Sequence, residues 1–372
     1  MKIVYISRSI IPSRTANSIN VMRMCNAFSS LGHEVVLLAP WTKKLEEKDV
    51  EDIYEYYGVS NNFTLKKIYS PNIKYLKKKI YSLKCLFEVK KINPDLVYGR
   101  DDIFSFYLTQ VQGFNTIFER HEPFLKNNFE HIFFKKFIMN NNRKSKLVTI
   151  SQELKKIYCD KYFLQSESIK VLPSATQINN DCSSIPLNLE QYKEEFNIGY
   201  IGSLAKGKGV EIIIPLAKKF SNMKFHIVGG KQSDIEYWKK QSTNIDNLIF
   251  HGFINPKETF RFRNLCDILL APYQLTNRLS QFMSPIKIFE YMASKTPVIC
   301  SDLEVIRENI DEKYAILVNN TNFEEWVKAI ELLYLNVDYR HTLAQKAFDY
   351  CINNFTYNAR AKNVLSFVEL NK

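Results

Sequence analysis

Two series of short apolar runs, each separated by stretches with helical spacing, constrain this chain more than any other feature. In the first series, residues 2–7, 34–39, 96–98, 116–119 and 147–150 read as strands. Residues 19–31, stopped by Gly32, read as the first helix between them. The second series opens at Ile198, with strands near Tyr200 and at 224–228, 248–251, 268–271, 297–300 and 315–318. Runs that are apolar throughout, rather than alternating, suit strands buried on both faces of a parallel sheet covered by helices. The chain therefore reads as α/β, with two doubly wound domains and ligands expected at the carboxyl ends of the strands, in the cleft where the domains face. The polar stretch 173–186 has no clear period and is the best linker candidate. It divides the chain into 1–185 and 186–352. The last helices are expected at about 323–351 and 359–370, with the 353–372 tail packing back on the first domain.

At 372 residues and 45% hydrophobic content, each half is large enough for its own core. The N-terminal run Met-Lys-Ile-Val-Tyr-Ile is broken by Ser7 and Arg8, too short for a signal-peptide core, and no 18-residue uncharged apolar stretch occurs. A cytosolic protein without a membrane span is the expectation. Seven cysteines are scattered without a Cys-x-x-Cys pair, which argues for reduced, buried thiols and against a zinc knuckle. The net charge of +12 is lopsided: residues 1–185 hold 28 Lys and Arg against 18 Asp and Glu. The excess concentrates at 66–91 and 135–161. There, Leu76, Ile80, Leu83 and Phe87 recur at helical spacing among lysines, a pattern that fits an anionic membrane surface or a core-facing helix with a solvated lysine face. No nucleic-acid recognition motif accompanies the charge.

The densest chemistry lies in Ser284-Pro-Ile-Lys-Ile-Phe-Glu-Tyr-Met-Ala293. Ser284 before Pro285 reads as a helix start, and Lys287, Glu290 and Ser294 then share one face. Free amides at a helix start and a lysine one turn in can hold a phosphate, with the carboxylate left for ribose hydroxyls. The plainer alternative is a Lys–Glu surface pair. Upstream, Ile201-Gly-Ser-Leu-Ala-Lys-Gly-Lys-Gly-Val210 joins a strand to a helix through three glycines and can bring amides and Lys208 to a diphosphate. It nearly spells a P-loop, but Gly209 stands where a magnesium-binding Ser or Thr is needed.

These segments, together with Val228-Gly-Gly230, Phe250-His-Gly-Phe253, Asp267-Ile-Leu-Leu-Ala-Pro-Tyr273, Pro297-Val-Ile-Cys-Ser301 and Arg307-Glu308, resemble glycosyltransferase family 4 in order and spacing. Arg120-His-Glu122, Thr149-Ile-Ser-Gln-Glu-Leu154 and Phe355-Thr-Tyr-Asn-Ala-Arg-Ala361 extend the resemblance over nearly the whole chain. It implies the GT-B architecture of two Rossmann-like domains. It also implies a retaining sugar transfer from a nucleotide-diphosphate sugar with no required metal or other cofactor. By that resemblance Lys208 and Lys287 neutralise the leaving diphosphate, Glu290 holds the ribose, and the backbone at Phe253 meets the base. Gly202, Ser203, Gly207, Gly209, Gly229, Tyr273, Ser284 and Glu308 fall along the same donor site. In the first domain His121 matches a histidine that touches the donor sugar, without having to be a base, and Arg100, Arg120 and Glu122 are its neighbours.

Three departures stand out. Phe282 occupies a position often held by glutamate, and Ser203 one often held by arginine, so Lys287 is assigned the lost charge. The first-domain loop reads Ser13-Arg-Thr-Ala-Asn-Ser-Ile19 without paired glycines, placing Asn17 and Ser18 where donor and acceptor should meet. Ser18 can alternatively cap the helix that follows. The expected protein is a transferase on the inner face of the cytoplasmic membrane, acting on a lipid-linked or glycan acceptor in bacterial surface polysaccharide synthesis and binding no nucleic acid. A non-catalytic nucleotide-sugar or glycan-binding protein and a P-loop phosphotransferase are the alternatives.

Overall fold

The computed structural model describes residues 1–41, 45–71, 73, 76–124, 129–140, 145–178, 187–254, 258–274 and 281–369. The chain divides into two compact units, Met1–Pro173 with Tyr357–Lys372, and Ser174–Thr356. The crossings thus fall at 173/174 and 356/357 rather than at 185/186 and 352/353. The reason is that the start of the supposed linker is already held by the second unit. The Ser174 amide donates to Ser284 Oγ at 2.8 Å, and the Thr176 amide to the Phe355 carbonyl at 2.7 Å. Residues 179–186 of that stretch lie outside the described residues.

In chain order the first unit contains β1 (Lys2–Ile6), α1 (Ala16–Ser30), β2 (Glu34–Pro40), α2 (Ile53–Tyr57), β3 (Thr64–Ile68), α3 (Lys77–Ile92), β4 (Leu96–Arg100) and α4 (Ile103–Val111). It continues with β5 (Thr116–Arg120), α5 (Phe129–Met139), β6 (Ser145–Thr149), α6 (Gln152–Tyr162) and β7 (Ile169–Val171). The strands pair in parallel in the order β3-β2-β1-β4-β5-β6-β7. Ile3, Val4, Tyr5 and Ile6 of the central strand are fully buried, as a strand covered on both faces must be. The order reverses between β1 and β4, so the crevice at their carboxyl ends is the natural ligand position in this unit. The edge strands β3 and β7 escape the sequence pattern because one carries Lys66 and Lys67 and the other has three residues; charge and brevity are usual at sheet edges.

The second unit contains β8 (Asn197–Ile201), α7 (Val210–Lys219), β9 (Lys224–Val228), α8 (Gln232–Gln241), β10 (Leu248–Gly252), α9 (Thr259–Leu265) and β11 (Ile268–Ala271). After these come α10 (Ile286–Met292), β12 (Val298–Ser301), α11 (Glu304–Arg307), β13 (Ile316–Val318), α12 (Phe323–Leu335) and α13 (Val337–Asn354). The sheet order is β10-β9-β8-β11-β12-β13, all parallel, with its reversal at β8/β11. The single helix expected over 323–351 is two, parted where Asn336 leaves helical geometry at φ −116° and ψ 84°. Beyond it α14 (Tyr357–Glu369) belongs to the first unit and packs on α1.

Helix α3 bears on the core-facing reading of its spacing. Its core side is Tyr81, Ser82, Cys85 and Val89, whereas Leu76, Leu83 and Phe87 lie on the surface, Phe87 with 70% of its area exposed. Of the stripe read as a possible core face, three members therefore point to solvent and Ile80 is half-buried. The six described cysteines are free, and all but Cys159 are buried.

Candidate functional site

In the second unit the sequence candidates gather at the carboxyl ends of β8, β9, β10 and β11. Gly202 follows β8 with φ +156°, and its amide donates to the Val228 carbonyl at 2.9 Å. A Cβ there would stand 2.9 Å from Lys287 Nζ, so the glycine leaves room for that ammonium. Gly229, at φ +103°, comes equally close to Gly202, where an added Cβ would meet the carbonyl oxygen at 2.4 Å. Its amide donates to Gly252 at 2.6 Å, which ties the ends of three strands together.

Lys287, in the first turn of α10, places Nζ 3.8 Å from the centroid of the Tyr200 ring and 5.4 Å from that of Tyr273. Aromatic faces attract a cation. Burial and the like charge of Lys208 nevertheless pull its ammonium down to about 7, against the pull of Glu290. Glu290 pairs with Arg263 of α9 at 4.0 Å, so the supposed Lys287–Glu290 surface pair is not the arrangement found. Tyr200 is buried, and its hydroxyl donates to the Ser203 carbonyl at 2.8 Å and the Lys208 carbonyl at 3.1 Å, fixing the loop that carries Lys208.

Two details differ from the sequence reading. The amides of Gly207 and Gly209 do not face a ligand; they donate to the Glu211 carboxylate at 2.7 and 3.1 Å. An acid in the first turn of α7 takes the groups that a P-loop would offer to phosphate, and these glycines serve the turn instead. Gly209, at φ +101°, has no room for a side chain because a Cβ would meet the Pro272 carbonyl at 2.2 Å. Second, Ser284 does not cap α10. Its hydroxyl accepts from Ser174, and Pro285 stands at the N-cap with no side-chain hydrogen bond. Ser203 is exposed, and its hydroxyl accepts from the Ala205 amide at 3.3 Å. Phe253 follows β10 with its ring largely exposed, Glu308 ends α11 after β12, and Phe282 is buried.

In the first unit a polar network lies at the carboxyl ends of β4 and β5. His121 follows β5, and its Nδ1 and Nε2 lie 2.8 and 3.0 Å from Arg100 Nη1. The ring also bonds the Glu119 carboxylate through Nε2. Burial, then Arg100, lowers the histidine to about 4 against the pull of Glu119, so the ring is neutral near pH 7. Burial alone would raise the Glu119 carboxyl, but Arg360, His121 and Arg100 hold it well below the usual range. Arg360 comes from α14, with Nη2 3.0 Å from Glu119 Oε1 and both side chains almost wholly buried. Tyr98 also donates to Glu119. Arg100 pairs with Asp101 at 3.5 Å, and Asp101 accepts from Asn17 Nδ2 at 2.8 Å, which brings Asn17 to the same edge.

Ser18 and Arg120 do not join that network. Thr15, not Ser18, caps α1, while the buried Ser18 hydroxyl donates to the Ser13 and Thr15 carbonyls. Strand alternation turns Arg120 to the other face, over the Phe124 ring at 4.1 Å and against Tyr158. The exposed Glu122 offers its carbonyl to Arg120 and to Tyr158. Glu119, Arg360, Arg263 and Glu211 are the residues that sequence reasoning missed. For Glu211 a signal existed, an acid in the first turn of a helix after a glycine loop. For the Glu119–Arg360 pair there was none, since its members lie far apart in the chain.

Among the described residues no group of three or more His, Cys, Asp or Glu side chains is placed to hold a metal ion. The family model for glycosyl transferases group 1 matches residues 185–350, and that for glycosyltransferase family 4 matches residues 19–179. A putative teichuronic acid biosynthesis glycosyltransferase, TuaH of Bacillus subtilis, is 26% identical over 113 residues; the match spans 30% of this chain and only 28% of that relative's length. A glycosyltransferase from Rickettsia africae superposes with a TM-score of 0.75 at 17% identity, over 100% of this chain and 98% of its own. Alr3699/HepE of Anabaena, solved in complex with UDP, superposes at 0.73 and 14% identity over 100% of both chains. A further structure of it holds UDP-glucose. With a glycosyltransferase model matched on each half and two parallel-sheet domains like those of solved GT-B enzymes, the chain belongs to the glycosyltransferases.

Proposed function

We propose that the protein is a retaining glycosyltransferase that moves a sugar from a nucleoside-diphosphate sugar to a lipid-linked or glycan acceptor. The observation that carries this reading is the placing of Lys287 against Gly202, beside Lys208 and one turn before Glu290. Two cations that form no carboxylate salt bridge among the described residues suit a diphosphate, and Glu290 then takes the ribose hydroxyls. Lys287 supplies the charge that Ser203 lacks. Phe253 and its backbone lie at the end of β10 for the base. Donor binding is supported by the UDP and UDP-glucose held by the Anabaena protein.

In the transfer, the bond from the anomeric carbon to the diphosphate oxygen breaks as the acceptor oxygen bonds to the same face of that carbon. The acceptor proton passes to the released phosphate oxygen. Lys208 and Lys287 stabilise the charge that develops on the diphosphate, the term that ordinarily dominates such catalysis. The reading calls for no metal, since lysines meet that charge. His121, neutral and bonded at both ring nitrogens, orients the sugar and removes no proton.

A role in bacterial surface polysaccharide synthesis is supported by the TuaH relative. Peripheral attachment to an anionic membrane is supported by α3, which exposes Leu76, Leu83 and Phe87 beside the exposed Lys78, Lys84, Lys90 and Lys91. Lys79 lies 4.6 Å from the Phe129 ring centroid, and α5 likewise exposes Phe129, Ile132 and Met139. No described helix is long and apolar enough to cross a membrane.

Thermal-shift titration with UDP, GDP, CMP and ADP sugars, and with Mg-ATP as control, tests the donor reading. Stabilisation by one nucleotide sugar, reduced in Glu290→Ala, is the expected result. A shift with Mg-ATP alone overturns it.

A further inference from the structure

The buried pair that joins α14 to β5 has a use beyond holding the helix in place. Glu119 is 2% exposed and Arg360 3%, with 3.0 Å between Oε1 and Nη2. A carboxylate so deep is costly to keep charged without a partner. Around it, Tyr98 of β4 donates to Glu119, while Arg100 of β4 faces His121 and pairs with Asp101. Arg360 Nη2 approaches Oε1, the same oxygen that His121 Nε2 bonds, while Tyr98 takes Oε2, so Arg360 is the fixed cation on the carboxylate oxygen that holds the ring. His121, two residues after Glu119, falls on the same side of β5 and reaches that carboxylate with Nε2.

An ionised carboxylate can only accept, so Nε2, against Glu119, carries the imidazole proton; Arg100 Nη1 lies 2.8 Å from Nδ1 and 3.0 Å from Nε2, and Nδ1 is the ring atom left to accept from it. The carboxylate thus selects one tautomer. Take away the Arg360 charge and the arrangement loses its reason. A protonated Glu119 would donate to Nε2, the ring proton would move to Nδ1, and an N–H would be aimed at the Arg100 donor.

We propose that Arg360 is a positioning residue for the transfer. By keeping Glu119 ionised it fixes the Nε2–H tautomer and the orientation of His121. The proposal rests on the reading of His121 as the residue that orients the donor sugar.

The test uses the full chain, labelled with 15N-histidine, and nitrogen chemical shifts that report the His121 tautomer directly. In the wild-type protein without ligand, His121 is expected as neutral Nε2–H throughout pH 5.5–8. A Nδ1–H ring, or ordinary titration near neutral pH, overturns the proposal at once. Arg360→Met is expected to lose the Nε2–H signature and at least tenfold in kcat, with the KM for donor little changed. Arg360→Lys, which keeps the charge, is expected to restore both. A folded Arg360→Met protein with unchanged His121 shifts and unchanged kcat sinks the idea. If Arg360→Met does not fold, the wild-type spectrum and the Lys variant still decide. The nitrogen shifts need no substrate, so a tautomer change without any effect on kcat would contradict the reading of His121 and leave the Arg360 linkage standing.

Discussion

Nζ of Lys287 lies 2.9 Å from the point where a Cβ on Gly202 would stand. The two positions are therefore one device, a backbone left bare so that a cation can rest against it. Gly202→Ala should displace the ammonium and lower nucleotide affinity roughly tenfold, a change of about 1.4 kcal/mol. Lys287→Ala should do at least as much. Because both act on one contact, the double variant should bind no worse than Lys287→Ala alone. Calorimetric titration of all three with the nucleoside diphosphate checks this, and additive losses would show that the glycine serves something else.

The same lysine makes donor binding pH-dependent. Its pKa, pulled down to about 7 by burial and by Lys208, means that the ammonium is largely neutral above that value in the free protein. A diphosphate favours the charged form, so affinity should weaken as pH rises from 7 to 8.5, by at most about tenfold per unit. Lys208→Met removes the like charge and should move the fall to higher pH while weakening binding at pH 6.5. A flat profile in the wild-type protein would exclude Lys287 from the diphosphate contact.

His226 and His251, on neighbouring strands β9 and β10, are bonded Nδ1 to Nε2 at 2.9 Å, and His226 also bonds Asn197 Oδ1 at 2.8 Å. Burial, then His251 and Lys224, lowers His226 to about 3. The unfolded chain takes up a proton near pH 6.5 that the folded one refuses. Stability should therefore fall as pH drops from about 6.5 toward 3, by up to about 1.4 kcal/mol per unit for each such group. Urea unfolding at pH 7, 6 and 5 should show the decline, and His226→Gln should flatten it while lowering stability at pH 7.

The outward face of α3 predicts a separable membrane function. Leu83→Ser with Phe87→Ser should cut binding to vesicles containing anionic lipid by at least tenfold, since each apolar side chain contributes about 1.5–3 kcal/mol when fully buried. Charge reversal at Lys84, Lys90 and Lys91 should cost about 1 kcal/mol per lysine and grow less important in high salt. Nucleotide affinity and activity on a soluble acceptor should stay at wild-type levels in both. Loss of soluble activity together with vesicle binding would reject the separation.

The inner strands and the donor segment were legible because their signals are local. Val298 to Ser301 is buried along its whole length and says so in its composition, and Lys287 and Glu290 declare a common side by their spacing alone. Exposure of the α3 stripe was not legible, because Leu76, Leu83 and Phe87 have the same period whether they face protein or water. Ser284 and Ser18 had the right chemistry for caps, but Pro285 and Thr15 took those places and left the two hydroxyls to other partners. Glu119 and Arg360 meet through the return of α14, which was expected of the tail, but no local pattern names the pair that the return makes.

That return has a consequence for how the protein is made. Sheet β1–β7 emerges from the ribosome complete, yet the helix that covers α1 and neutralises Glu119 is synthesised only after the whole Ser174–Thr356 unit. During that interval a nascent first unit must keep a carboxyl without its cation and a helix face without its cover. The first unit therefore reaches its final order only when the second has been translated.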